Sequence, residues 1–525
     1  MSNGAAREQA IALFEAFKFE PTSLLTYRSG GKLLALGDAA QLQRCAELPA
    51  SIECETLPVV RAQVQIQGHL GAYQVEVSDA QGNARKYQAD AVLDLHETPL
   101  LAREMLPPGY FHFGPDYWDS ADHKAELLAD LEALRGEFQK PRYFDYDASI
   151  CAHSVNGREV CRRCIDACPA DAIHSLAERI EVDPYLCQGG GSCTTVCPSG
   201  AIRYLYPNLR DNGKRLRDML KAYREQGGED PIVFFHSDGF SPGDYLQAYD
   251  NLLPIAVEEL ASVGVDLCLS ALAYGALQVV LHVDEQVPAS SADNLAGQLE
   301  WAGELAIVLG LSGDCMTLCG AGAAFPTAEP RPAFTAAEYD MPGNKRDAIL
   351  RALDHLVSQL RPAPESVELS APAPFGEAVI DAGKCTLCMS CVGACPGRAL
   401  QDGSNREVPE LFFIESNCLQ CGACVQTCPE DAISLAPRLL FDREIRNRAR
   451  ALNRDTPFAC IACGKPFAPT SVIAKMQDKL KDHYMFSSER ALDRLKMCDD
   501  CRVVDVMQDP DAMAGQFNPN TRFRQ

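Results

Sequence analysis

Of the 24 cysteines in the 525-residue chain, most fall at spacings that bind metal rather than form disulfides. Two runs have no gaps: Cys385-x2-Cys388-x2-Cys391-x3-Cys395-Pro396 and Cys418-x2-Cys421-x2-Cys424-x3-Cys428-Pro429. A tight loop of this kind wraps three thiolates round one face of an iron–sulfur cubane, with backbone N–H groups aimed at the sulfurs. The fourth cysteine leaves the loop and reaches the neighbouring cluster. The spacing therefore assigns Cys385, Cys388, Cys391 and Cys428 to one [4Fe–4S] cluster, and Cys418, Cys421, Cys424 and Cys395 to a second. Gly393, Ala394, Gly422 and Ala423 leave room for the loops to close, and Leu400 and Ile433 are expected to cover the clusters. Zinc sites and plain buried thiols also use cysteine, but two complete tandem runs, each followed by proline, single out iron–sulfur chemistry.

An earlier pair of runs departs from this pattern twice. Cys161-x2-Cys164-x3-Cys168-Pro169 lacks its first position, which Cys151 fills if residues 152–160 loop out, with Gly157 helping the turn. Cys187-x5-Cys193-x3-Cys197-Pro198 carries Gly190 where the second ligand belongs. Exchange of the last cysteine gives Cys151, Cys161, Cys164 and Cys197 for a third cluster, a [4Fe–4S]. Cys168, Cys187 and Cys193 remain for a fourth site, suited to a [3Fe–4S] cluster or to a [4Fe–4S] cluster with a non-cysteine group on the last iron. All four runs end in Cys-Pro-x-x-Ala-Ile/Leu, so the chain is read as two dicluster repeats.

Near the end, Cys460-x2-Cys463 and Cys498-x2-Cys501 make a tetrahedral S4 set, for which zinc is the default and rubredoxin-like iron the rival. Cys45, Cys54, Cys268, Cys315 and Cys319 read as single buried thiols. No GxGxxG, GxxxxGKS or HExxH occurs, so nothing in the chain marks a flavin, nicotinamide or substrate site and no catalytic residue is assigned.

Positioning these cysteines falls to a chain with 47% hydrophobic and 23% charged residues and a net charge of −24. An acidic surface disfavours nucleic acid and anionic membranes and suits a basic patch on a redox partner. The first twenty residues show no secretory pattern and no run reads as a membrane span, so a cytoplasmic protein is expected. The expected class is α/β and α+β multidomain, with the dicluster units between or after cysteine-poor α/β domains. The boundaries are an N-terminal α/β domain at 1–145, the irregular unit at 146–205, an α/β domain at 206–340, a helix and Pro-rich linker at 341–375, the second unit at 376–440, and a basic helical segment with the cysteine tail at 441–525. Within these, 6–17 and 252–263 are expected as helices, and 265–269 and 305–309 as strands. Residues 438–454 are expected as a basic helix, with Arg443, Arg446, Arg448, Arg450 and Arg454 on a solvated face.

Residues 144–205, imperfectly, and 376–440, closely, resemble bacterial-type dicluster ferredoxins. Residues 231–320 faintly resemble the delta subunit of methyl-viologen-reducing hydrogenases; Phe234-Phe235-His236-Ser237-Asp238 stands where that family's [2Fe–2S] cysteines are expected, and Cys268 alone lies near a matching strand. The chain as a whole resembles the large ferredoxin-type proteins of proteobacteria that accompany molybdenum-dependent formate dehydrogenases. That resemblance implies an electron-transfer protein or subunit of an oxidoreductase complex, with formate dehydrogenase or another oxidoreductase as partner. The alternatives are a reductase with its own flavin or substrate site, and a maturation or assembly factor.

Overall fold

The computed structural model describes residues 3–510 except 20–21, 79–82, 156, 332–333, 361 and 404–407. The chain divides into two compact units, Met1–His153 with Cys161–Ala363 and Ser154–Val160 with Pro364–Gln525.

In the first unit, Leu33–Gly37 is apolar throughout, as a parallel strand covered on both faces must be. It pairs in parallel with Cys54–Pro58 and Ala91–Asp94, and Tyr110–His112 extends the sheet. Leu33, Ala35 and Leu93 pack with Leu127 and Leu131 of the helix Ala121–Glu132. Leu34, Leu36 and Val92 pack the other way, with Val75 and Tyr73 of an antiparallel sheet formed by Val64–Gln67, Tyr73–Ser78 and Ala84–Ala89.

A second parallel sheet has the spatial order Leu252–Val257, Ile232–Ser237, Gln278–Val283, Met316–Gly320. Helices Leu209–Glu225, Val265–Ala273, Ala289–Val308 and Lys345–Gln359 accompany it. Three expectations are corrected here. Residues 252–263 are a strand followed by the short turn Leu260–Ser262, not a helix. Residues 265–269 open a helix, which also carries Cys268, and 305–309 lie at the end of the helix Ala289–Val308. Each is dominated by apolar residues, with Glu258, Glu259 and Asp266 the charged exceptions, and such runs carry too little period to separate a strand from a helix. The opening helix, Asn3–Glu15, packs on Leu209–Glu225, with the Arg215 guanidinium 3.7 Å above the Phe14 ring.

The second unit is built on antiparallel strand pairs. Gly376–Ile380 pairs with Ile433–Leu440, Leu400–Asp402 with Glu410–Phe413, and Glu410–Phe413 with Arg450–Arg454. Residues 364–375 are not only a linker, because Ser366–Glu368 adds a strand beside Ile433–Leu440. The expected basic helix at 438–454 is instead a strand end, the short helix Arg443–Asn447 and the strand Arg450–Arg454. Its arginines do not share a solvated face. Arg446 is 3% exposed and donates to the Leu440 and Phe441 carbonyls, and Arg450 joins an ion cluster.

That cluster holds the second unit together. Glu415, 4% exposed, accepts from Arg438 Nε at 2.9 Å and Nη2 at 2.8 Å, and from Arg450 Nη1 at 2.5 Å. Glu377 accepts from both guanidinium groups, at 2.9 and 3.1 Å. Burial raises the Glu415 carboxyl, but the two arginines outweigh it and hold the group below its ordinary range. Among the described residues, no helix is long and apolar enough to cross a membrane.

Glu415→Gln leaves two half-buried guanidinium groups with Glu377 as their remaining carboxylate and is expected to cost about 1–3 kcal/mol in anaerobic chemical denaturation. The folded-state carboxyl titrates below the unfolded one. Its stabilisation is therefore complete above the unfolded value of about 4.3 and fades as pH falls through the folded value, so the gap between wild type and variant narrows in acid.

Candidate iron–sulfur and metal centres

The four Cys-Pro-x-x-Ala-Ile/Leu segments share one backbone device. The residue before the alanine is left-handed in every copy: Asp171 at φ 53°, Gly200 at 71°, Arg398 at 53° and Asp431 at 47°. The turn aims the alanine N–H at the cysteine sulfur, at 3.4 Å for Ala172 to Cys168, 3.2 Å for Ala399 to Cys395 and 3.3 Å for Ala432 to Cys428. In the remaining copy the Ala201 N–H goes to Ser199 Oγ at 3.2 Å, and that hydroxyl stands 3.6 Å from Cys197 Sγ. A donor on sulfur favours the thiolate and is one of the levers on a cluster's potential.

A second device fixes which loop meets which cysteine. The Asp381 N–H donates to the Ala432 carbonyl at 2.9 Å and the Ile414 N–H to that of Ala399 at 2.8 Å; likewise Asp147 donates to Ala201 and Asp183 to Ala172, both at 2.8 Å. The residue that leads into each cysteine loop is thus clamped behind the Cys-Pro of the other run. Loop 385–391 closes on Cys428, loop 418–424 on Cys395, loop 151–164 on Cys197 and loop 187–193 on Cys168.

The thiols crowd accordingly. Burial first, then Cys388, Cys385 and Cys428, push the Cys391 thiol up to about 12. Cys424 is raised by burial and by Cys418, Cys421 and Cys395. Cys164 is raised by burial and by Cys197, Cys161 and Cys151, and Cys193 by burial and by Cys168 and Cys187. Groups set this way ionise together only around a cation. Leu400 and Ile433 pack in one apolar cluster with Cys391, Cys418 and Cys424.

The loops also repeat each other internally. Leu387 and Met389 are left-handed at φ 55° and 60°, as are Gln420 and Gly422 at 50° and 83°. Gly189 and Gly191, at 88° and 79°, take the same places in loop 187–193. Each loop then enters a short helix: Ser390–Gly393, Ala423–Thr427 and Ser192–Val196. Gly190 therefore stands where Cys388 and Cys421 stand. In the first run the extra residues form a small hairpin, Ser154–Val155 with Arg158–Glu159, turning at Gly157 with φ 74°. At its base the Cys161 N–H meets the His153 carbonyl at 3.3 Å, which brings Cys161 back beside Cys151.

In the tail, the Sγ atoms of Cys460, Cys463, Cys498 and Cys501 all lie within 4.8 Å of one another, an arrangement compatible with one metal ion. Cys460 and Cys463 sit between the paired strands Pro457–Ala459 and Pro466–Pro469, and Cys498 caps the helix Asp499–Met507. Burial opposes ionisation of Cys460, but the N–H groups of Cys498, Cys463 and Ala462 prevail and lower the thiol to about 6.

Cys45 and Cys54 are half-buried rather than buried, and they interact: the contact lowers the first thiol and raises the second; nine residues apart, they match no motif. Cys268, Cys315 and Cys319 are buried, and Cys319 Sγ donates to the Ala323 carbonyl at 3.0 Å.

Comparison with known proteins agrees with this geometry. A family model described as a 4Fe-4S dicluster domain matches residues 382–433, which hold both gap-free runs, and one described as a 4Fe-4S binding domain matches residues 180–203. The chain is 44% identical over 39 residues to a ferredoxin of Alicyclobacillus acidocaldarius subsp. acidocaldarius and 41% identical over 39 residues to a protein named ferredoxin 7Fe of Hydrogenibacillus schlegelii. Each match takes in 7% of this chain and 50% of the relative, so the chain spans about half the length of the curated relatives it matches. The class is that of a ferredoxin-like iron–sulfur protein. Within that class, this chain carries its 4Fe-4S domain matches as short segments of a much larger mixed α/β chain.

The left-handed turn is directly testable at Arg398, whose side chain is exposed. Arg398→Gly is expected to keep or raise stability by up to about 1 kcal/mol, and Arg398→Val to lower it by about 1–2 kcal/mol. Anaerobic denaturation with iron content before unfolding reads both.

Proposed function

We propose that this protein relays single electrons through four iron–sulfur clusters to or from a redox enzyme. The supporting observation is the fourfold clamp, which sets every three-cysteine or two-cysteine loop against the cysteine of its partner run. On this reading Cys385, Cys388, Cys391 and Cys428 hold one [4Fe–4S] cluster, Cys418, Cys421, Cys424 and Cys395 a second, and Cys151, Cys161, Cys164 and Cys197 a third. Cys168, Cys187 and Cys193 hold the fourth. The clusters supply one-electron transfer; the chain's own residues hold them close, exclude water and tune them through N–H groups on sulfur. Cys460, Cys463, Cys498 and Cys501 bind zinc and pin a tail too small to be stable alone. The domain boundaries at 145, 205, 340, 375 and 440 and a cytoplasmic location belong to the same reading. The whole-chain resemblance favours formate dehydrogenase as the partner, met through the acidic surface.

A second reading, a reductase with its own small-molecule site, draws on a cavity of about 380 Å³ whose lining includes Asp266, Lys345, Arg203 and Tyr204. A flavin absorbance band, or turnover by the protein alone, would favour it.

Anaerobically purified protein is expected to carry about 15 irons per chain and one zinc, and dithionite is expected to produce the paramagnetic signals of reduced [4Fe–4S] centres. Fewer than about eight irons, with no reducible centre, would defeat the reading. Formate together with formate dehydrogenase should reduce the clusters, and added salt should slow that reduction, because encounter is steered by charge.

A further inference from the structure

We infer that the Met105 side chain closes the fourth corner of the Cys168/Cys187/Cys193 site, so that this site holds a [3Fe–4S] cluster covered by a neutral group that is not a ligand. The inference rests on the preceding reading that these three thiolates bind a cluster.

Loop 187–193 keeps the left-handed residues of the complete loops, so its backbone still presents a position for a second ligand, and that position is Gly190. Gly190 itself has no positive φ. A Cβ built there would lie 3.4 Å from Met105 Sδ and 3.5 Å from Pro169 Cγ, ordinary van der Waals distances. The methionine sulfur thus stands in contact with the place from which a ligating cysteine would extend. Met105 is held there: its N–H donates to the Pro169 carbonyl at 3.0 Å, and its side chain packs, as Cys168 and Cys187 do, against the buried cluster of Ala170, Ala172 and Leu186. Gln188 Nε2 donates to the neighbouring Leu106 carbonyl at 2.7 Å.

The chemistry follows from charge. A thiolate offsets the positive charge of an iron; a thioether is neutral and a weak donor, and does not hold an iron against loss. A fourth iron here would have no anionic protein ligand from the loop, while the methionine bulk keeps water from the exposed sulfides. The corner is therefore closed to solvent without being a metal ligand.

The test uses full-length protein purified without oxygen. Oxidised [4Fe–4S] centres are diamagnetic, so a near-isotropic EPR signal in the oxidised wild type reports this site alone. Gly190→Cys should abolish that signal and add one iron per chain. Met105→Ala should keep the signal, but once dithionite has supplied one electron, [3Fe–4S]⁰ should take up added Fe²⁺ to give [4Fe–4S]²⁺ about ten-fold faster or more than in wild type. Met105→Leu, which restores bulk without sulfur, should behave as wild type. Wild type with a four-iron centre at this site would overturn the inference and leave the electron-transfer reading intact, as would equal uptake rates in wild type and Met105→Ala. A site empty of iron would overturn both.

Discussion

Four thiols gathered in the interior of a protein resist ionisation twice over, through lost hydration and through one another. Each quartet here is in that condition, with Cys391, Cys424 and Cys164 all raised by burial first and by their neighbours next. An iron–sulfur core removes the conflict by supplying the positive charge. The surrounding structure reads as preparation for it: left-handed turns put N–H groups on sulfur, and the crossed clamps bring the distant cysteine in. The ion cluster of Glu377, Glu415, Arg438 and Arg450 then locks the strands on which the second unit's loops sit.

The incomplete loop is buttressed from two sides. Lys140 Nζ donates to the carbonyls of Tyr185 at 2.9 Å and Cys187 at 2.6 Å, and Tyr27 Oη to that of Tyr185 at 2.6 Å. From the other side, Lys345 Nζ reaches the Thr194 and Thr195 carbonyls at 3.0 and 2.5 Å. Contacts from both cysteine-poor regions of the first unit thus hold the loop where a ligand is missing. This gives those α/β regions a positioning role that needs no catalytic motif.

Spacing alone proposes the ligand sets, because two x2 gaps, one x3 gap and a Cys-Pro define both the loop and its exit. Gly157 was legible for the same reason: a nine-residue gap where two residues are usual must turn. The left-handed residues Leu387, Met389, Arg398 and Asp431 were not, since their side chains do not announce a positive φ. A signal was nevertheless present across the repeats. Glycine occupies these places in other copies, with Gly189 matching Leu387, Gly422 matching Met389 and Gly200 matching Arg398. The helix–strand exchanges at 252–263, 265–269 and 305–309 arose because segments so rich in apolar residues carry little periodicity to separate a strand from a helix. The arginines of 443–454 misled because Arg446 turns inward to the Leu440 and Phe441 carbonyls, while Arg450 pairs with Glu377 and Glu415, far away in sequence. Met105 and the Cys45–Cys54 pair carry no local pattern at all and are visible only once the chain is folded.

Diffraction from anaerobic crystals at the iron absorption edge tests the crossing of ligands most directly. The account predicts iron density bonded jointly to Cys385, Cys388, Cys391 and Cys428, and separate density bonded to Cys418, Cys421, Cys424 and Cys395. Iron bridging Cys424 and Cys428 of the same run, or no iron between residues 385 and 428, would contradict it.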